Sequence, residues 1–283
     1  MDLKFSNWIV KHSITTKAAE ELIKLWKSSE SLVPKIVKSS YLKIKKEIYI
    51  CNDCGFTKNS SRCEKETCLK ETGNSYFLLL NVLEQVQRIV TENFDEFVYD
   101  DLGYMPNSRF EQIHEKYDAC LTLTINTDGV MVFNKGHADA WPFYLTFNEL
   151  PMKLKYKLSN IVIPAIYIGS TKIKNMEVVN EMCQEIYTLE NGIPVQNTTI
   201  KIFVIYGIFD KPARAFMLNM QAHNAQFGCP YCLDPQFNKN HKNYYKLIKY
   251  PEMRENAGAW ASMICAEEEN KPNKGYKGYC PIR

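Results

Sequence analysis

Residues 121–129 read LTLTINTDG, leucine and threonine in strict alternation, closed by an aspartate and a glycine. A period of two over this length is the signature of a β-strand with one apolar face. A second run, IKIFVIYGIFD at 200–210, is a longer apolar strand that also closes on an aspartate. Asp128 and Asp210 are separated by 210 − 128 = 82 positions, enough for a hairpin, a third strand and a crossover helix. Adjacent pairing of the two strands would then bring both carboxylates to one end of a sheet.

Outward from this pair, WPFYLTFNELP (141–151) and NIVIPAIYIG (160–169) supply further strands. NMEVVNEMCQEIYTLENG predicts a helix ending near Gly192, and PARAFMLNMQAHNAQFG predicts another ending near Gly228, each with glycine where a helix stops. Tyr76 to Phe94 carries Leu79, Leu83, Val86 and Val90 near helical spacing, and a second helix is expected around 107–118. Residues 1–48 read as helical, with Ala19, Leu22, Ile23 and Trp26 on one face. The expected class is α/β, in four segments: helical 1–48, a cysteine-rich module 49–72, a helical packing segment 73–119 and the strand-rich core 120–283.

The chain has 283 residues, 45% hydrophobic and 24% charged, with a net charge of +3, so it buries a sizeable core and is only weakly basic. MDLKFSNWIVKHS is no secretory leader, and no apolar run is long enough to span a bilayer. That implies an intracellular protein with no membrane partner. Ten cysteines in a reducing compartment then read as metal ligands before disulfides. Cys51, Cys54, Cys63 and Cys68 lie in a polar segment too short for its own core, and four thiolates suit a structural Zn2+. Lys35, Lys38, Lys43, Lys45 and Lys46 precede them, as a phosphate-facing surface or a solvated one.

Each aspartate also has a plainer explanation. Asp128-Gly129 suits a tight hairpin turn, and Asp210 before Lys211-Pro212 suits a helix cap. Two facing carboxylates repel unless a divalent cation lies between them, which is the function that favours pairing them. Trp141 reads as a packing residue, His137 and Asp139 as loop residues, and His223 as core or helix surface. Lys239, Lys242, Lys246 and Lys249 alternate with Tyr244, Tyr245 and Tyr250, a pattern that suits phosphate contact with base stacking and equally an amphipathic surface.

In order, the segments NTDGVMVFNKG, AWPFYLTFNELP, YIGSTKIKNMEVV, GIFDKPARAFMLNMQAHNAQFGCPYCLDP and GYKGYCPI resemble the eukaryotic cut-and-paste DNA transposases of the CACTA, Mirage and Chapaev group. The resemblance is strongest over 121–235 and extends to the opening segment and the first cysteine cluster. It implies a ribonuclease H-like mixed sheet with flanking helices, and an acidic triad in which Asp128 and Asp210 are the first two Mg2+ or Mn2+ ligands. It also implies that Cys229 and Cys232 are half of a second zinc site, with transposon-end DNA as partner and the nucleus as compartment; self-association stays open. In that family the third carboxylate follows GYKGYCPI, where this sequence stops at Arg283, so the chain as given is expected to be inactive. Glu252, Glu255 and Glu267 to Glu269 precede that motif and read as a solvated face, and His241, Cys265 and Cys280 are available to complete the second zinc site. The alternative is a domesticated, non-catalytic protein that binds DNA or protein through a zinc-dependent fold.

Overall fold

A computed structural model describes residues 43–51, 55, 57–58, 68, 74–98, 108–131, 139–169, 173, 176–240, 242–245 and 250–282. The helical expectation for residues 1–42 therefore lies outside the described residues, as do Cys54, Cys63, His137 and His241. The chain forms two compact units, the first reaching Ile208 and the second beginning at Phe209.

The first unit is a mixed sheet with helices. Its strands are β1 (Ile44–Cys51), β2 (Thr57–Lys58), β3 (Asn74–Leu80), β4 (Cys120–Thr127), β5 (Val130–Met131), β6 (Asp139–Phe147), β7 (Ala165–Gly169), β8 (Ile193–Val195) and β9 (Thr198–Ile208). Spatial order is β2-β1-β3-β7-β6-β4-β9-β8, with β5 also on β6. Every pairing is antiparallel except β4 with β9, which run parallel. The helices are α1 (Val82–Glu92), α2 (Arg109–Lys116), α3 (Met152–Lys155) and α4 (Glu177–Tyr187). The expected hairpin is β4 with β6, the third strand is β7, and α4 lies in the crossover to β9.

Two expectations are corrected. Residues 44–48 are strand, and so is Asn74–Leu80, so segments expected to be helical contribute strands to the same sheet as the core. The run YFLLL is apolar at every position, which fits a strand buried on both faces as well as it fits a helix. Phe77, Leu78, Leu79 and Leu80 are indeed all buried. The helix proper starts at Val82, capped by Asn81, whose side chain accepts from Glu84 N at 3.2 Å. It buries Val82, Val86, Ile89 and Val90 and leaves Leu83 exposed.

One face of the sheet packs Leu78, Leu80, Ala140, Ile166 and Ile168 with Ile161 and Ile163. On β4 the alternation separates Leu121, Leu123 and Ile125 from Thr122 and Thr124, but the threonine side is not solvent-facing. Thr124 donates to Asn148 at 2.6 Å and Asn148 donates to Thr122 at 2.9 Å, so this polar face is buried with its hydrogen bonds satisfied.

On β9 the register slips by one residue. Leu123 faces Val204 but Thr124 faces Tyr206, so Ile205 is an extra residue, a bulge.

The second unit contains α5 (Lys211–Met217), a two-stranded ribbon of β10 (Phe237–Lys239) and β11 (Lys242–Tyr244), and α6 (Asn256–Glu269). The helix expected to run to Gly228 stops at Met217, because Asn219 adopts a left-handed φ of 46° and Met220 N bonds Ala215 O at 2.8 Å. Gly228 instead serves a close backbone approach, since a Cβ there would lie 2.5 Å from Ala222 O. Among the described residues no helix is long and apolar enough to cross a membrane.

Candidate functional site

β4 and β9 are parallel neighbours and end together, Asn126 facing Ile208. Asp128 comes two residues after Asn126 and Asp210 two residues after Ile208. Asp128-Gly129 is not a hairpin turn. Thr127 faces Phe143 and Val130 faces Ala140, one unbroken register against β6, so the chain continues straight through the pair. The ladder lapses there opposite Pro142, which has no N–H to donate. Gly129 is required by a neighbour, because a Cβ would lie 2.6 Å from the Trp141 indole. Trp141 thus packs on the strand beside Asp128, in keeping with a packing role.

Asp128 is half-buried. Its charge reaches Tyr144 on β6, whose phenol is pushed well above the usual range by burial and then by Asp128. A carboxylate so placed, on a strand end of a rigid sheet, has the hard oxygen donors that Mg2+ or Mn2+ prefers.

Asp210 opens the second unit and is exposed. Its Oδ1 accepts from Ala213 N at 2.7 Å, capping α5 with Pro212 in the first turn. The capping explanation is therefore realised, and it occupies one carboxylate oxygen. Nearby, Lys211 and Arg214 line a shallow cleft with His223 and Pro230.

Of the first cysteine cluster, Cys51 and Cys68 are described, and Cys51 ends β1. Cys51 Sγ and Cys68 Sγ stand 3.8 Å apart. Four thiolates at about 2.3 Å from one tetrahedral Zn2+ are separated by about 3.8 Å from each other, so this pair already has the spacing of two zinc ligands. Gly55 N donates to Cys51 O at 2.9 Å, and Gly55 takes a φ of 71°, the tight turn that a CxxC loop needs.

At the second cluster, Tyr231 N donates to Cys229 Sγ at 3.4 Å. Burial raises the Cys229 thiol, but the amides of Tyr231 and Cys232, the Cys232 thiol and Arg254 outweigh it and hold Cys229 below the usual range. Burial and the Cys229 charge push Cys232 the other way. Two sulfurs so close, one of them made more acidic by its surroundings, offer the soft donors that Zn2+ takes. Of the ligands available to complete it, Cys280 is unsuited: buried, it donates to Met217 O and Ile282 O, and burial pushes its thiol up to about 11. Cys265 is on α6 and half-buried. Among the described residues no three His, Cys, Asp or Glu side chains gather to hold a metal ion.

Of the lysine cluster, Lys35 and Lys38 lie outside the described residues. Lys43 pairs with Glu84 at 2.8 Å, Lys45 with Glu185 at 2.6 Å and Lys46 with Glu181 at 2.6 Å, so these three hold helices to β1. Glu267 accepts from Tyr279 N at 3.0 Å, a structural contact within the second unit.

Sequence reasoning missed Glu149, which is 0% exposed. Its Oε1 accepts from Thr122 N at 2.8 Å, Thr122 Oγ1 at 2.6 Å and His114 Nε2 at 3.0 Å. Cys120 Sγ lies 3.3 Å from His114 Nδ1. Burial opposes protonation of His114, yet its bonds to Cys120 and Glu149 raise it to about 9. NELP closes a run read as strand, and nothing local marks its glutamate as buried.

Residues 38–249 match the model of a family of proteins of unknown function, DUF1258, and the chain belongs to that family. No curated protein matches the chain.

Proposed function

We propose that the chain is a transposase-derived protein of the CACTA, Mirage and Chapaev type, with a ribonuclease H-like core in which Asp128 and Asp210 are the first two divalent-cation ligands. The observation that carries this reading is the parallel pairing of β4 with β9 in the first unit, reached through a hairpin, a third strand and a crossover helix. Three consecutive antiparallel strands with the fourth returning parallel beside the first is the arrangement such a core requires. A divalent ion held there supplies Lewis-acid activation of the attacking and leaving oxygens in phosphoryl transfer. The chain's own share is to hold carboxylates at the strand ends; a third acidic ligand completes the set in the family it resembles. Zinc at Cys51, Cys54, Cys63 and Cys68 stabilises the β1 end, Cys229 and Cys232 contribute a second half-site, and DNA in the nucleus is the partner.

The second reading, a non-catalytic zinc-dependent DNA- or protein-binding protein, is favoured by the commitment of Asp210 to the α5 cap. Manganese titration of the wild-type chain separates the two, with circular dichroism as the folding control. Asp128→Asn and Asp210→Asn are each expected to weaken Mn2+ binding at least tenfold while the spectrum is retained. Equal affinity in all three proteins would leave the binder as the better reading.

A further inference from the structure

The β10–β11 ribbon has two unlike faces. Phe237 pairs across with Tyr244, Asn238 with Asn243 and Lys239 with Lys242. Because side chains alternate, Phe237, Tyr244, Lys239 and Lys242 share one face and the two asparagines occupy the other. The asparagine face is tied down: Asn238 donates to Asn243 at 2.9 Å, and Asn243 donates to Asn224 O at 2.6 Å. The root is tied as well, with Gln236 N on Gln226 O at 2.6 Å and the Gln236 side-chain amide donating to His223 O and Tyr245 Oη.

All six ribbon residues are exposed. Phe237 and Tyr244 stack with centroids 5.8 Å apart and remain 42% and 43% exposed, so two large rings stay wet. At the tip, where Asn240 turns the chain with a φ of 54°, Lys239 and Lys242 stand directly opposite each other. Like charges so placed destabilise a two-stranded ribbon, which is marginal on its own. An anion between them removes that cost.

We propose that the outer face of β10–β11 binds single-stranded DNA, with bases stacked on Phe237 and Tyr244 and flanking phosphates held by Lys239 and Lys242. Aromatic platforms beside paired cations are the chemistry that recognises an unpaired strand without reading its sequence. The choice of DNA over RNA rests on the transposase reading above; the ribbon geometry does not.

Fluorescence anisotropy of the full chain with labelled oligo-dT, oligo-rU and a DNA duplex tests this across a salt series. The wild type is expected to prefer oligo-dT. The double variant Phe237→Ala/Tyr244→Ala is expected to weaken it about tenfold or more. Lys239→Ala/Lys242→Ala is expected to lower the slope of log K against log salt by about 1.4, at about 0.7 per phosphate. Phe237→Tyr/Tyr244→Phe restores binding, and circular dichroism verifies the fold of each variant. Unchanged affinity in the folded alanine variant, tighter binding of duplex, or no binding of either oligonucleotide overturns the proposal; a preference for oligo-rU overturns the choice of DNA. Asp128→Asn separates the two readings: it is expected to lose Mn2+ yet keep oligo-dT binding, and either result can fail alone.

Discussion

The two ends of β4 are built on opposite principles. At Cys120 and Thr122 the strand is locked by a buried carboxylate, an imidazole, a thiol and a backbone amide within hydrogen-bonding reach of one another. At Asp128 the strand runs on against a proline and under an indole, with a half-buried acid whose field reaches a phenol. At the first end the polar groups bond to one another, which fixes the strand; at the second a half-buried carboxylate follows the strand end, with the oxygen donors a hard cation prefers. A carboxylate wholly buried under three donors marks scaffold, and a half-buried carboxylate at a strand end marks a candidate site.

The most severe way to break this contrast is Glu149→Ala, which leaves Thr122 N–H and His114 buried without their acceptor. Loss of one partner from such a cluster costs on the order of 3–5 kcal/mol, measurable as a reduced urea midpoint. Asp128→Asn at the other end is expected to cost little, so comparable losses would erase the distinction. A smaller effect follows from pH. His114 is raised in the folded state to about 9, so its stabilising contribution is complete below about pH 6.5, the unfolded value, and is lost as pH rises through about 9. With 18% of the side chain exposed, solvent screening reduces this to on the order of 1–2 kcal/mol. Melting temperatures from pH 6 to 9.5 are expected to fall more steeply in the wild type than in His114→Gln. Least disruptive is Gly129→Ala, on the order of 1 kcal/mol as Trp141 is displaced, read as a small melting shift with altered tryptophan fluorescence.

Much of the core was legible because its signals are local. LTLTINT and IKIFVIYGIFD announce strands by alternation and β-branched content, and the stretch between them holds the elements its length allows. The N-terminal strands were not legible. IKKEIYIC carries charges that suit an exposed helix, and their partners Glu181 and Glu185 lie 135 and 140 positions away. The aspartates were singled out by strand position, and the turn that Asp128-Gly129 also suits is a feature of dipeptide chemistry that the β6 register overrides. Glu149 escaped because burial depends on what folds over a residue.

The extra residue at Ile205 sets the phase of everything after it on β9. Excising that one codon would let Tyr206, Gly207 and Ile208 keep their places opposite Thr124, Ile125 and Asn126 in an even ladder, without the local bend and added twist that a bulge brings. The curvature of the strand is therefore written in its length more than in its vocabulary, so that a one-residue deletion there straightens it while a conservative replacement does not.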